Sequence, residues 1–414
     1  MIPIDTQFLR RSALVCACAL LAWVPAGAQR AVTRAEAEAA ALSAGTRVAL
    51  ARADTAAVLA RLLTARALPN PTLAAVYSKA TPQKHLTLDL PLFDALWTRG
   101  ARVGQASASA RAARLLFASE RIAVLVEVDT TYTRALAANA RFRLSRQTAR
   151  DADSLRKMTE IRRDAGDASD LDVDLATVVS GQQLNVTTGD SLTYMSALLT
   201  VQTLMGIPAD SVAIVLADSL VLTPLDTLGA ASRVSATGAT ASVTAAEAAL
   251  QAAELGIALQ KRSVFVLPSL SVGVEFGDPS GGEPGYLPLI GLSVPLPLFN
   301  RNQGPIAEAR AERDRAQAQL AGVRLETRQR LVEGSREREQ LIAKVARDRD
   351  LVIRAQRVAD KSLTAYREGA SALPAVLEAR RSAREVLGQY IEDLAALLTI
   401  NTELRALTQT VPVP

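Results

Sequence analysis

The stretch from Leu287 to Ala307 changes from a strand pattern to a helix pattern within a few residues, and this change limits the folds open to the chain. Alternate residues of its first half are apolar: Ile290, Leu292, Val294 and Leu296. This period of two predicts a strand with one apolar face. Turn residues follow at Asn300, Asn302 and Gly304, and Pro305 suits the first turn of a helix. A strand therefore leads directly into a helix.

The same strand-to-helix pattern occurs earlier, from Leu86 to Ala106. The tripeptide Pro-Leu-Phe at 91–93 matches Pro-Leu-Phe at 297–299, and Gly100 matches Gly304 once two residues are skipped. The two sites are separated by roughly 200 residues, which indicates two copies of one unit.

A second pair of motifs supports the duplication: RDAGDASDLDV at 163–173 and REGASALPAV at 367–376. The two motifs follow the first pair in the same order and at a similar separation. Each contains a glycine, Gly166 or Gly369, that suits a helix end, because the left-handed conformation found there is readily accessible to glycine. We therefore predict a helical hairpin in each copy, with its turn at the glycine.

Residues 1–28 have the pattern of a secretory signal peptide. Two arginines precede an apolar run from Ala13 to Val24, and small residues follow as a cleavage site. The run is too short for a permanent transmembrane helix. Cys16 and Cys18 both lie in this segment, so the mature chain is predicted to have no disulfide. Lipidation within the segment is the alternative.

Composition favours long helices and disfavours an enzyme. Aromatic residues are 4% of the chain and charged residues 21%, while alanine is abundant. The formal charge of +5 is a mild surplus among interleaved acids and bases, so no nucleic-acid partner is expected. His85 is the only histidine, and the sequence has no phosphate-binding glycine loop. We therefore predict no catalytic site, no metal site and no cofactor.

The duplication predicts the boundaries of the domains. A signal peptide (1–28) is followed by a first repeat (29–206), an equatorial connector (207–244) and a second repeat (245–414). In the first repeat we predict a helix at 33–68, a β-hairpin at 72–92, a long helix at 98–165 and a return helix at 170–206. In the second we predict a helix, a β-hairpin at 269–296, a long helix at 305–368 and a return helix at 372–407.

The two long helices need partners of similar length. Each would extend for about 100 Å, and the second carries apolar residues on a seven-residue repeat: Leu331, Leu341, Val345, Val352, Ala355, Ala359 and Tyr366. This repeat is typical of coiled-coil packing, and such a helix cannot bury its apolar stripe alone. The return helices are the nearest candidates. The predicted fold is mainly α with a small β part, built from long antiparallel helical hairpins.

The β-hairpins pose a different problem. Four short strands with one apolar face would leave unpaired edges and apolar surface in water. A barrel closed across an outer membrane removes both, but four strands cannot close a barrel alone. We therefore predict that several subunits share one barrel. Asp89 and Glu275 alternate with apolar neighbours and are predicted to face its lumen.

These features together resemble the TolC family of outer-membrane efflux channels. The duplicated motif, the two glycine turns and the signal peptide carry the resemblance, and LSVPLPLFNRNQGPIAEARAE at 292–312 is similar to the second-half signature of that family. The resemblance implies a homotrimer with a shared twelve-stranded outer-membrane β-barrel, four strands per subunit, above a periplasmic α-barrel. It also implies a periplasmic adaptor and an inner-membrane efflux pump as partners. The modest loops are similar to the CzcC-like heavy-metal branch.

The resemblance also implies roles for particular residues. The two turns correspond to the tips that dock onto the adaptor: Gly166, Ser169, Leu171, Gly369, Ser371 and Leu373. Asp172 corresponds to an acidic pore constriction, with Asp170 beside it and Tyr366 near the closed aperture. A ring of carboxylates would favour cations over anions. Ser371 replaces a basic residue of some family members, which disfavours an ionic lock between the turns.

Simpler interpretations remain open at this stage. Asp170 and Asp172 lie at a predicted helix start, where carboxylates are favourable without any pore. Tyr366 lies on the seven-residue repeat and is equally interpretable as a core residue. For the whole chain, the alternative is a periplasmic coiled-coil adaptor or scaffold. The transported substrate, metal cation or drug, cannot be read from the sequence.

Overall fold

The computed structural model of the protein describes residues 30–80, 82–210, 213–222, 240–264, 268–277 and 285–408. The predicted signal peptide and much of the predicted connector lie outside the described residues. The elements of the first half are β1 (Arg30–Val32), α1 (Arg34–Ala44), α2 (Thr46–Arg66), β2 (Thr72–Tyr77), β3 (Lys84–Leu90), α3 (Leu92–Trp97), α4 (Arg99–Asp164), α5 (Asp170–Leu204) and β4 (Ile214–Leu216). Those of the second half are α6 (Ala241–Arg262), β5 (Ser269–Phe276), β6 (Leu287–Ser293), α7 (Gln303–Arg367) and α8 (Leu373–Thr408).

The chain divides into two compact units. The first contains the residues up to 40 together with 131–221, and the second contains 41–130 and the residues from 222 onward. The long helix α4 begins in the second unit and ends in the first. None of the described helices has an 18-residue stretch that is apolar enough to cross a membrane.

The first unit fixes the beginning of the described chain by a small sheet and a buried tyrosine. Strand β1 pairs in parallel with β4, from Arg30 opposite Ile214 to Val32 opposite Leu216. The buried Tyr132 hydroxyl lies 2.9 Å from both the Val32 carbonyl oxygen and Asp218 Oδ2. Burial raises the pKa of Tyr132, and its hydrogen bond to Asp218 acts in the same direction. Tyr132 therefore remains a protonated donor.

The second unit contains the β-hairpins and a long helical hairpin. Its sheet has the strand order β2-β3-β5-β6, and every neighbouring pair is antiparallel. Helices α7 and α8 pack against each other along a buried apolar cluster: Leu331, Val345, Leu397, Ile400 and Leu404. A second cluster joins α2 to α4 through Leu62, Ala65, Ala106 and Ala110. Small side chains at such contacts let helices approach closely.

The predicted helix at 33–68 is wrong in one respect, because the structure has two helices there. Gly45 separates α1 from α2 and has an extended conformation, with φ −63° and ψ 132°. Glycine loses more conformational freedom in a helix than other residues, which favours a break at this position. The apolar spacing alone gave no sign of the break, since the side chains on both sides of Gly45 keep a helical pattern.

The second strand of the β-hairpin predicted at 269–296 is also shorter than expected. The alternating pattern continues to Leu296, but β6 ends at Ser293. Pro295 and Pro297 have no N–H to donate to a neighbouring strand, so the pairing stops before them. The short helix α3 follows β3 and extends from the end of the β-hairpin predicted at 72–92 to the start of the long helix predicted at 98–165, a stretch in which no helix was predicted.

Candidate functional site

The four-stranded sheet has one apolar face that is exposed in the single chain. Cross-strand pairs on the two central strands set this face: Leu86 with Val274, Leu88 with Val272, and Leu90 with Leu270. The outer strands extend it through Leu73 and Ile290, whose exposed fractions are 66% and 76%. An apolar face of this kind on a soluble sheet would be covered by a second layer of the chain.

The opposite face of the sheet is polar at its centre. His85 pairs with Glu275, and Asp89 pairs with Ser271, across the β3–β5 junction. His85 Nδ1 lies 3.0 Å from Glu275 Oε1, and the Ser271 hydroxyl donates a hydrogen bond to the Asp89 carboxylate. Asp89 and Glu275, the two residues predicted for a lumen, therefore lie on the same polar face. The polar pairs that bridge the two hairpins were not predicted.

Gly273 allows the two hairpins to approach closely. It lies opposite Thr87 in the register, between the two polar pairs. A Cβ atom at this position would lie 2.9 Å from Thr87 Cγ2 and would also meet the Leu86 carbonyl oxygen. A side chain is thus excluded here by the neighbouring backbone, which keeps β3 and β5 in register.

Aromatic residues cluster at one end of the apolar face. The Phe276 and Tyr286 rings are 5.4 Å apart, and Lys84 Nζ lies 5.7 Å from the centre of the Phe276 ring. Tyr286 is 75% exposed. Aromatic rings with a polar end, and lysines beside them, are typical of the boundary between hydrocarbon and water in membrane proteins. This cluster was not predicted from the sequence, although Lys84 and Phe276 continue the alternation of the apolar strand residues.

The sheet has two open edges. Strands β2 and β6 are its outer members, and each is paired on one side within the described residues. Pro288 lies in β6, a position that proline tolerates on an edge strand. An unpaired edge is a template for pairing with a strand of another chain.

The first helical turn, between α4 and α5, is built around Gly166. Its φ of +84° is left-handed, as predicted. The Gly166 N–H donates to the Arg163 carbonyl oxygen at 2.9 Å, and the Asp167 N–H donates to that of Arg162 at 2.8 Å. These two bonds satisfy carbonyl groups at the end of α4, as in a Schellman motif. The turn is therefore a specific structure with a defined conformation.

Asp172 forms hydrogen bonds that cap the N-terminus of helix α5. Its backbone N–H donates to Ser169 Oγ at 3.2 Å, and its Oδ2 accepts from the Ser169 N–H at 3.1 Å. This reciprocal arrangement is a capping box. Asp170 is exposed in the first turn of the same helix. Asp172 thus caps the helix while its side chain stays partly accessible, and Asp170 lies in the first turn, where a carboxylate is favoured by the helix dipole.

The second turn, between α7 and α8, has the same helix end but a different continuation. Gly369 has φ +76°, and the Ala370 N–H donates to the Ala365 carbonyl oxygen at 2.8 Å. Ser371 is half-buried, whereas Tyr366 and Leu373 are only 4% and 2% exposed. Two residues predicted for the aperture and the tip are therefore packed inside their own subunit.

Helix α5 carries exposed apolar side chains along its length. They recur at three- and four-residue intervals near each end: Leu171, Leu175 and Val178, then Leu192, Met195 and Leu199. Phe142 of α4 stacks on Tyr194 of α5 at 6.2 Å, which shows that the other side of α5 packs within the hairpin. One face of α5 is thus apolar and uncovered in the single chain.

Comparison with known families assigns the chain to a class of protein. The sequence model of the family named outer membrane efflux protein matches residues 51–206 and 234–409, which together make up most of the chain. The chain belongs to the outer membrane efflux protein family. It is an outer-membrane protein of a family of efflux channels, which is not a family of enzymes. No curated protein sequence matches it significantly.

Several solved structures share the fold of this chain. The outer membrane protein VceC from Vibrio cholerae shares 16% identity and a TM-score of 0.73, over 91% of this chain and 96% of that one. CusC shares 16% identity and a TM-score of 0.71, over 94% and 96% of the two chains. A membrane protein from Pseudomonas aeruginosa shares 20% identity and a TM-score of 0.73, over 90% and 93%. The predicted fold, a duplicated TolC-like unit that is mainly α with a small β part, is confirmed.

Among the residues that the structure describes, no group of three or more His, Cys, Asp or Glu side chains could hold a metal ion. The candidate functional surfaces are the two-faced sheet, with its polar pairs, and the two helical turns.

Proposed function

We propose that the protein is the trimeric outer-membrane channel of a tripartite efflux system. It acts as a passive exit duct for substrates that an inner-membrane pump delivers through a periplasmic adaptor. The observation that carries the proposal is the two-faced sheet, whose exposed apolar face and open edges have no covering layer within the described chain. The family assignment favours this function over that of a periplasmic adaptor or scaffold.

The sheet supports a barrel shared between subunits. Each chain supplies four strands, β2, β3, β5 and β6, and three chains would supply the twelve strands of one closed barrel. Closure would pair β6 of one subunit with β2 of the next and leave no open edge. The leucine-rich face would then contact lipid, and the face with Asp89 and Glu275 would line the lumen.

The exposed face of α5 supports contact between subunits below the membrane. Its exposed apolar side chains form two groups, one near each end: Leu171 to Val178 and Leu192 to Leu199. Helices of similar length from a neighbouring subunit would cover both groups. Three such contacts would build the periplasmic tunnel that the channel requires.

The two helical turns are the proposed docking tips for the adaptor. Leu171 is 67% exposed beside the capped turn at Gly166 and Ser169, and it is an apolar anchor for a partner. In the second turn Gly369 is exposed and Ser371 is partly exposed, whereas Leu373, the counterpart of Leu171, is buried. We therefore assign the stronger contribution to the first turn.

Channel formation can be tested directly. The purified full-length protein, reconstituted in planar lipid bilayers, is expected to produce discrete steps of ionic conductance, while a heat-denatured sample of the same preparation produces none. Cell fractionation provides the second measurement. Folded protein in the soluble periplasmic fraction without detergent, together with silent bilayers, would refute the proposal.

The role of Asp172 in selectivity needs a variant that separates charge from capping. Asp172→Asn removes the charge and keeps an oxygen for the capping box, so the permeability to anions relative to cations should rise severalfold. Asp172→Glu keeps both the charge and a residue favoured at this capping position, so its selectivity should match the wild type. If reversal potentials under a salt gradient are the same in all three proteins, Asp172 caps the helix and does not control the pore.

A further inference from the structure

The interface between α7 and α8 contains charged residues at positions that the seven-residue repeat assigns to the core. Arg338 lies seven residues from both Leu331 and Val345, and Asp348 lies seven residues from Leu341. Both charged residues are buried, with exposed fractions of 7% and 9%. Arg338 Nε donates a hydrogen bond of 2.6 Å to Asn401 Oδ1 on α8, so its position is explained by a polar partner. Asp348 Oδ2 has no comparable partner on α8 within the described residues.

The residue of α8 next to Asp348 is a second aspartate. Asp393 is 5% exposed. Its donor Lys344 lies one helical turn before Asp348 on α7, which places Asp393 beside Asp348, and the two carboxyl groups influence each other's protonation. One oxygen of each, Oδ2, is buried and lacks a hydrogen-bond donor within the described residues. Two ionised carboxylates in such a place would repel each other with little water to screen them. A single proton between them would satisfy both oxygens.

The surroundings of the pair are asymmetric. Asp393 Oδ1 accepts hydrogen bonds from Lys344 Nζ at 2.7 Å and from Gln389 Nε2 at 3.1 Å. These donors favour an ionised Asp393. Asp348 is affected by the more distant charges of Lys344 and Arg347 on its own helix, and by Asp393 across the interface. The stronger stabilisation of negative charge is therefore at Asp393.

The pKa directions agree with this geometry. Burial raises the pKa of the Asp348 carboxyl, and the neighbouring Asp393 raises it further. Burial also acts to raise the pKa of Asp393, but hydrogen bonds from Lys344, Asp348 and Gln389 outweigh it and lower the pKa. The pair titrates as one coupled unit whose first proton to bind is shared between the two side chains.

We propose that α7 and α8 are joined by a proton-binding site, in which a protonated Asp348 donates a hydrogen bond to an ionised Asp393 that is held by Lys344 and Gln389. The site takes one proton and no metal, because the Lys344 ammonium already neutralises the remaining charge. Loss of the proton leaves two buried carboxylates facing each other and weakens the pairing of the two helices. The helical hairpin that carries the second turn is thus sensitive to pH.

The sign of the effect follows from the raised pKa of Asp348. In the unfolded chain an aspartate loses its proton near pH 4, whereas the folded protein keeps it to higher pH. The folded state therefore binds more protons in this window, and its stability falls as pH rises from about 4 through the folded pKa. Asp393, with its lowered pKa, contributes in the opposite direction and only at lower pH, where its stabilising ion pair is lost.

The test compares the thermal unfolding of full-length protein in detergent across this pH range. Asp348→Asn mimics the protonated side chain, so it should match the wild type near pH 4.5 and unfold roughly 2–4 °C higher near pH 8.5. Asp350→Asn on the exposed side of α7 is the matched control and should follow the wild type throughout. Asp393→Asn removes the partner of Lys344 and should unfold at a lower temperature near neutral pH.

A spectroscopic readout detects the proton itself. As the pH is raised above about 4, where ordinary aspartates lose their proton, infrared spectra of the wild type and Asp350→Asn should keep the C=O stretch of a buried protonated carboxyl group to higher pH than the bulk of the carboxyl groups, and this band should be missing from Asp348→Asn. The proposal is overturned if this band is unchanged in Asp348→Asn. It is also overturned if the unfolding temperatures of wild type and Asp348→Asn keep a constant difference at every pH.

Discussion

Among single residues, the two glycines of the helical turns are required by the backbone conformation of the turns. Gly166 and Gly369 have φ angles of +84° and +76°, and a Cβ atom at Gly166 would meet nothing within 4 Å. Space is therefore available at Gly166, and what restricts the residue is the left-handed backbone. The glycine inside helix α5, Gly181, is the opposite case, because it has helical backbone and open space around it.

Alanine at these two positions should have effects of opposite sign. Gly166→Ala strains the left-handed turn and should destabilise the protein by about 1 kcal/mol. Gly181→Ala improves helix propensity and should stabilise it by about 0.5–1 kcal/mol. Denaturant unfolding of the two variants, with proteolysis at the turn as a local probe, measures both effects. Equal shifts in the same direction would show that the turn does not depend on the conformation of its glycine.

At the scale of elements, the alternation of side chains along each strand decides what the sheet can contact. Leu88 is on the apolar face of β3 and its neighbour Thr87 is on the other face. Successive side chains point to opposite faces of the sheet. A substitution moved by one position therefore passes from the face proposed to contact lipid to the face proposed to line the lumen. This gives an internal control that differs by a single residue.

Arginine substitutions use that control. Leu88→Arg would put a charge into hydrocarbon and should cost about 2–4 kcal/mol, depending on depth, so the yield of folded protein in outer membranes should fall strongly. Thr87→Arg should reduce the yield much less, because a lumen accepts a charged side chain. Quantitative blots of outer-membrane fractions measure both yields. A larger loss for Thr87→Arg would reverse the assignment of the two faces.

At the scale of the whole molecule, the sequence predicted the fold well because its signals repeat. The strand-to-helix transition and the glycine turn each occur twice, so the second copy supported the interpretation of the first. The helices α4 and α7 begin and end close to their predicted limits, since turn residues mark both ends. These signals are local: each depends on residues that are neighbours in the sequence, so it can be recognised without knowledge of the tertiary structure.

Features that depend on tertiary contacts were harder to predict. The capping of α5 by Asp172 was one of two open interpretations, and the burial of Tyr366 and Leu373 became clear only with their packing partners in place. The pairing of Asp348 with Asp393 joins residues on different helices, and no periodic pattern connects them. The polar bridge from His85 to Glu275 spans the two repeats in the same way.

The proposed channel depends on three subunits closing one barrel around the polar face of the sheet. Single-particle electron microscopy of the purified protein in lipid nanodiscs tests this most directly. We predict a particle with threefold symmetry in which β6 of each protomer pairs with β2 of the next, giving twelve strands from the four that each chain supplies. A monomeric particle in which the apolar face of the sheet is covered by its own chain would contradict the account.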